Sequence, residues 1–199
     1  MKRFYAFTYK IGIGKLLFLC LLIGVVLGAV VSNLFRGFFI DQFFLFDDSY
    51  INTLKTEELN HFVIFQMALI RHMKEFGLLC LLTTTMFGIP VFMFHVGYKG
   101  FSIGFIVSTA VMRYGMKGIL FVLGYLFPHY LLLIPLYIIL YFKGYEVNYR
   151  LYSKSVETRV RFANYIPYLF ILIALIVVAS FFEGYVNTSL LKKIMINLS

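Results

Sequence analysis

From Leu16 to Val31 the chain runs sixteen residues without a charge, and further long apolar runs extend as far as Phe182. Runs of that length leave few folds open. In hydrocarbon every backbone N–H and C=O must be satisfied within the segment, which selects helices. The chain is 61% hydrophobic and 14% charged, against about 45–50% and about 25% in soluble domains. It has too little polar surface to coat a water-soluble globule. The reading is all-α: a polytopic helical membrane protein with about five transmembrane helices and amphipathic extracytoplasmic helices.

The expected organisation is a single membrane domain over residues 1–199. Spans fall at about 16–32, 76–95, 100–114, 119–142 and 165–182, with Pro90 inside the second. The connection Gly97-Tyr98-Lys99-Gly100 separates the second span from a short apolar run, 101–112, that either crosses fully or is re-entrant. Residues 33–75 form the one sizeable hydrophilic segment, read as extracytoplasmic. It holds an acidic turn at Asp47-Asp48 and a helix starting near Glu57, with acids in its first turn. Phe62, Val63, Met67, Ile70 and Met73 give that helix one apolar face, which either lies on the membrane or bundle or docks a partner. Residues 143–164 are a basic loop, and in the tail, 184–199, Val186, Leu190, Ile194 and Leu198 make a second amphipathic stripe.

Net charge is +9, from 18 Lys and Arg against 9 Asp and Glu. These cations lie between apolar runs, where they orient spans and meet anionic membrane lipid; no nucleic-acid partner is implied. Five spans with a cytoplasmic N-terminus put 10 cations inside and 8 outside; a re-entrant 101–112 evens the tally at 9 to 9. Six acids dilute the outer segment. The positive-inside rule therefore favours five spans, N-terminus in and C-terminus out.

Catalytic motifs are missing from the sequence. His61, His72, His95 and His129 show no i, i+4 pairing with one another, and no nucleophile elbow, P-loop, dinucleotide fingerprint or calcium-loop spacing occurs. Cys20 and Cys80 sit inside apolar runs, so neither a disulfide framework nor a cysteine zinc site is readable. No enzyme activity, cofactor or metal is expected. Polar groups inside apolar runs carry more information, because hydrocarbon burial is costly unless they are satisfied. His129 follows Pro128, and the proline frees a carbonyl about four residues back that the imidazole would satisfy. The alternative for His129 is a polar site shared with a partner or substrate. Glu183, ending the last span, is either interfacial or pairs across the bundle. Gly24, Gly28 and Ser32, and again Gly100, Gly104 and Ser108, recur every four residues and let another backbone approach closely, within the chain or on another subunit.

The stretch Gly100-Phe101-Ser102-Ile103-Gly104-Phe105-Ile106, then Gly118-Ile119-Leu120, Leu126-Phe127-Pro128-His129 and Pro135, resembles the core of the stage II sporulation protein M family. Phe182-Glu183-Gly184-Tyr185-Val186-Asn187-Thr188 is similar to that family's last-span ending. Ser189 departs from a proline soon after Thr188, and Tyr130 from a small or amide residue. The resemblance implies a scaffold in engulfment during endospore formation. It would sit in the mother-cell membrane at the septum and hold stage II sporulation proteins D and P, which degrade peptidoglycan outside the cytoplasm. A permease-like subunit or small transporter is the competing class, suggested by proline-interrupted spans and His129. The want of an internal repeat and the few intramembrane charges speak against it.

Overall fold

The computed structural model describes residues 12–35, 60–152 and 162–198, and among these it is helical with no strand. The Asp47-Asp48 turn, Glu57 and the cations of residues 1–11 and 153–161 lie outside the described residues. Four stretches are long and apolar enough to cross a membrane: Ile13–Leu34, Gly88–Leu126, His129–Tyr152 and Ile166–Ile194. A further helix, His61–Thr83, lies among them. We label the helices α1 (Ile13–Leu34), α2 (His61–Thr83), α3 (Gly88–Tyr114), α4 (Gly118–Leu126), α5 (His129–Tyr152), α6 (Ile166–Phe181) and α7 (Thr188–Leu198).

Helix α1 runs parallel to α3, since Gly24 lies against Gly97 and Gly28 against Phe101. Helix α5 is antiparallel to α3: Asn148 reaches Gly88, while Tyr137 meets the Lys99 level. Along α2 and the end of α6, His61 reaches Thr188 whereas His72 reaches Glu183, so those two are antiparallel as well. Phe76, Leu79, Phe92, Leu136, Leu140, Leu172 and Ile176 fill the centre. The outward faces are equally apolar, with Phe18, Leu22, Val26, Leu131, Ile134 and Phe170 exposed, as expected where lipid is the solvent.

The helices depart from the sequence reading in three places. First, the separate spans 76–95 and 100–114 do not exist. α2 runs unbroken from the supposed surface helix into the supposed second span, and α3 is continuous through Gly97-Tyr98-Lys99-Gly100. The break falls instead at Thr84–Phe87. Asn148 Nδ2 donates there to Thr83 O and Thr85 O at 2.8 and 2.7 Å, and Tyr152 donates to Thr84 O at 2.7 Å. Pro90 sits in the first turn of α3, where its missing N–H costs no helical bond. Residues 61–75, including Phe62 and Ile70, therefore belong to a helix of the bundle, capped by Asn60, whose Oδ1 accepts Val63 N–H at 3.2 Å.

Second, the short element is not 101–112. Nor is 119–142 one helix. A chain reversal at Gly115, with φ 59°, and Gly118 packed on the Ala110 backbone leads into α4, which ends before Pro128. Nine residues rise only about 13 Å, roughly half a hydrocarbon core. Third, the tail is continuous with the last span through a π-helical turn, Phe182–Asn187. The extra residue in that turn rotates α7 relative to α6. Leu191 and Ile194 consequently face α4, and Leu190 of the expected stripe is exposed.

Candidate functional site

The two small-residue ladders meet each other. A Cβ at Gly24 would overlap Gly97 O, one at Gly28 Phe101 O, one at Gly100 Leu21 O and one at Gly104 Val25 O. All four obstacles are backbone atoms, so nothing at this seam can swing aside. Buried Ser32 continues the α1 ladder, and Asn33 Nδ2 donates to Ser108 Oγ at 2.9 Å at the seam's end.

A second seam, across α2, α3, α5 and the π turn, is ionic. Glu183 takes Arg71 on Oε1 and His72 Nε2 on Oε2, the latter at 2.9 Å. Three residues further along α2, Glu75 accepts His95 Nε2–H and Lys99 Nζ, at 2.7 Å, on Oε1, and the Tyr137 hydroxyl, at 2.7 Å, on Oε2. With Nε2–H donated to Glu75, His95 Nδ1 accepts the Tyr141 hydroxyl. His72 stands between the two carboxylates; its Nδ1 lies 4.0 Å from Glu75 Oε2 and makes no hydrogen bond. Two carboxylates thus face the cations Arg71 and Lys99, and with neutral histidines the cluster carries no net charge. Such balance makes burial in a bundle tolerable.

Beside it lies the α4–α5 break. Asn187 Nδ2 donates to Tyr125 O at 2.7 Å and to His129 Nδ1 at 2.6 Å. The carbonyl freed near Pro128 is therefore satisfied by an amide from the π turn and not, as the sequence reading had it, by His129, which positions that amide. Pro135 lies inside α5 and takes no part in either seam. Glu183 and Asn187, four residues apart, share one face of the π turn and both reach inward. Its Gly184 packs on the backbone of Phe65, where a Cβ would approach N and Cα to within 2.9 Å, and its carbonyl accepts from His61 Nδ1 at 2.9 Å. A groove of about 440 Å³ opens between α1, α3 and α5, lined by Leu17, Phe18, Lys99, Tyr130, Tyr137 and Tyr141 among others.

Of the residues singled out from sequence, Gly100, Gly104 and Ser108 lie on the first seam, Glu183 in the second, and Pro128 and His129 at the break. Phe62 and Ile70 stay on the outer face of α2, 55% and 54% exposed. Arg71, His72, Glu75, His95 and Lys99 were missed. The signal for them was present: i, i+1, i+4 spacing on α2 and i, i+4 spacing on α3 put each set on one helix face.

Fold and site together define a polytopic helical membrane protein with a charge-balanced polar cluster inside its bundle. The family described as Stage II sporulation protein M has a model that matches residues 11–188, and the chain belongs to that family. Within that range Gly100–Ile106 lies on the glycine seam, Leu126–His129 at the helix break, and Phe182–Asn187 forms the π turn. No curated protein and no solved structure gives a significant match.

Proposed function

We propose that the chain is a membrane scaffold that holds extracytoplasmic peptidoglycan-degrading proteins, stage II sporulation proteins D and P, at the septum during engulfment. In this reading it does no covalent chemistry itself and sits in the bacterial cell membrane. The observation that carries it is family membership over nearly the whole chain. The paired carboxylates agree, since Glu75 and Glu183 are both engaged by cations and act as ties between helices. The orientation is part of the same proposal. Counted along the sequence, the stretches that lead into α1 and join α5 to α6, 1–15 and 143–164, hold nine Lys and Arg, and the α2–α3 turn holds none. The stretches that join α1 to α2 and α3 to α4, together with α7, hold six: Arg36, Lys55, Arg113, Lys117, Lys192 and Lys193. That favours a cytoplasmic N-terminus, with α1, α2, α3, α5 and α6 as the five crossings. The stretch between α1 and α2 and the C-terminal end are then the parts that face extracytoplasmic partners.

Affinity capture of the protein from sporulating cells tests this, with cell-wall-degrading proteins expected among the captured set. Their absence, with normal engulfment in a deletion strain, would contradict the scaffold. The permease-like reading gains from one observation: Arg71, His72, Glu75, His95, Lys99 and Glu183 place six ionisable groups inside the bundle, where the sequence had suggested few. Solute uptake by reconstituted vesicles would favour it.

A further inference from the structure

The face of α2 turned away from the bundle carries a charge that lipid cannot satisfy. Lys74 is exposed and has no ion-pair or hydrogen-bond partner among the described residues; the nearby carboxylates, Glu75 and Glu183, are taken by other cations. Around it the outward face is apolar, with Met67, Ile70, Leu78 and Leu81 exposed. The Arg71 side chain, one turn away, is 59% exposed beyond its contact with Glu183. Lys74 is deep within the helix: nine residues separate it from Thr83 and thirteen from His61, about 13 and 20 Å along the axis. Helical side chains lean toward the N-terminus, which aims Lys74 along the longer of those two paths and away from the nearer interface. An unpaired lysine at such a depth is costly even on insertion scales. Next to it Gly77 has nothing within 4 Å of where a Cβ would stand, leaving room for another backbone.

From charge complementarity we infer that this face of α2 is an intramembrane docking surface, and that its occupant is a transmembrane helix of another protein carrying an aspartate or glutamate near its middle. The carboxylate pairs with Lys74 and is reached by Arg71, and the neighbouring turn packs over Gly77. The inference rests on the scaffold reading and adds to it where and by what chemistry a membrane-spanning partner is held.

The test uses the full chain in vesicles with labelled ~20-residue polyleucine transmembrane peptides, read by energy transfer. One peptide carries a central glutamate, one a central lysine, and one leucine throughout. Interhelical polar pairs contribute about 1–2 kcal/mol, so the glutamate peptide should associate about tenfold more tightly than the leucine peptide. Lys74→Gln should abolish that preference, and Lys74→Glu should transfer it to the lysine peptide. Equal association of all peptides, or a glutamate preference that survives Lys74→Gln, overturns the inference.

In cells, a photocrosslinker at Leu78 should yield an adduct with a membrane protein whose span contains an acidic residue, and Lys74→Gln should remove it at unchanged protein level. Adducts solely with lipid, or with a second copy of this chain, count against it. If no such adduct forms while cell-wall-degrading proteins are still captured, the inference fails and the scaffold stands. If the adduct forms with an unrelated acidic-span protein and those enzymes are never captured, the inference stands and the scaffold fails.

Discussion

The α1–α3 seam and the α2–π-turn seam hold helices together by opposite means. The first has no charged group and lets backbones approach until a methyl would overlap a carbonyl. The second uses carboxylates, a guanidinium, an ammonium and imidazoles, with one glycine to bring α2 close. In lipid, apolar surface gains nothing by leaving its solvent, so only close van der Waals packing or interhelical polar bonds favour association. This molecule uses each in a separate place. The glycine seam fails by steric overlap. The ionic seam fails when a partner is left alone.

Gly104→Leu should have the largest effect. Its side chain meets the Val25 backbone, which has no rotamer to change, so about 3 kcal/mol or more is lost. Thermal unfolding in detergent and the amount of protein in the membrane should both report the loss, and an unchanged melting curve would show the seam is incidental. Glu183→Gln comes next, expected at about 2 kcal/mol. It leaves His72 and Arg71 without their carboxylate, although the exposure of Arg71 keeps the cost below that of a fully buried break. Adding Arg71→Gln should recover part of that loss in a double-mutant cycle, whereas strict additivity would mean the two groups do not interact. Asn187→Ala should cost about 1 kcal/mol, by stripping the Tyr125 carbonyl of its donor, and should show in amide exchange at the α4–α5 break before global unfolding. The smallest effect is expected for Gly77→Ala in the isolated protein. A Cβ there would meet nothing within 4 Å, so better helix propensity should leave stability unchanged or raise it by up to about 1 kcal/mol. A loss comparable with Gly104→Leu would erase the distinction between seam and surface glycines.

The two seams were unequally legible. Small residues at spacing four announce a helix contact by themselves, and both ladders could be read, though not that they meet each other. The ionic seam is spread over residues 71 to 183, and its members have other ordinary readings. Arg71, His72 and Glu75 look like the polar side of a surface helix, and Lys99 between two glycines looks like a loop cation. That loop was the main misreading. Gly100 is small because the α1 backbone presses on it, and Pro90 begins a helix without interrupting one. The π turn leaves no periodic trace, because one additional residue merely shifts the stripe of α7.

The central claim is that α3 is continuous through residues 97–100, which places Lys99, His95 and Glu75 inside the membrane and the α2–α3 turn at its edge. Single cysteines at Met86 and Tyr98, both exposed in the structure, test it in a background lacking Cys20 and Cys80. The cells are treated with a membrane-impermeant maleimide before and after permeabilisation. The account predicts that Met86→Cys labels only after permeabilisation and that Tyr98→Cys, facing hydrocarbon, labels in neither condition. Ready labelling of Tyr98→Cys by the water-soluble reagent would contradict it and restore a connecting loop at Gly97–Gly100.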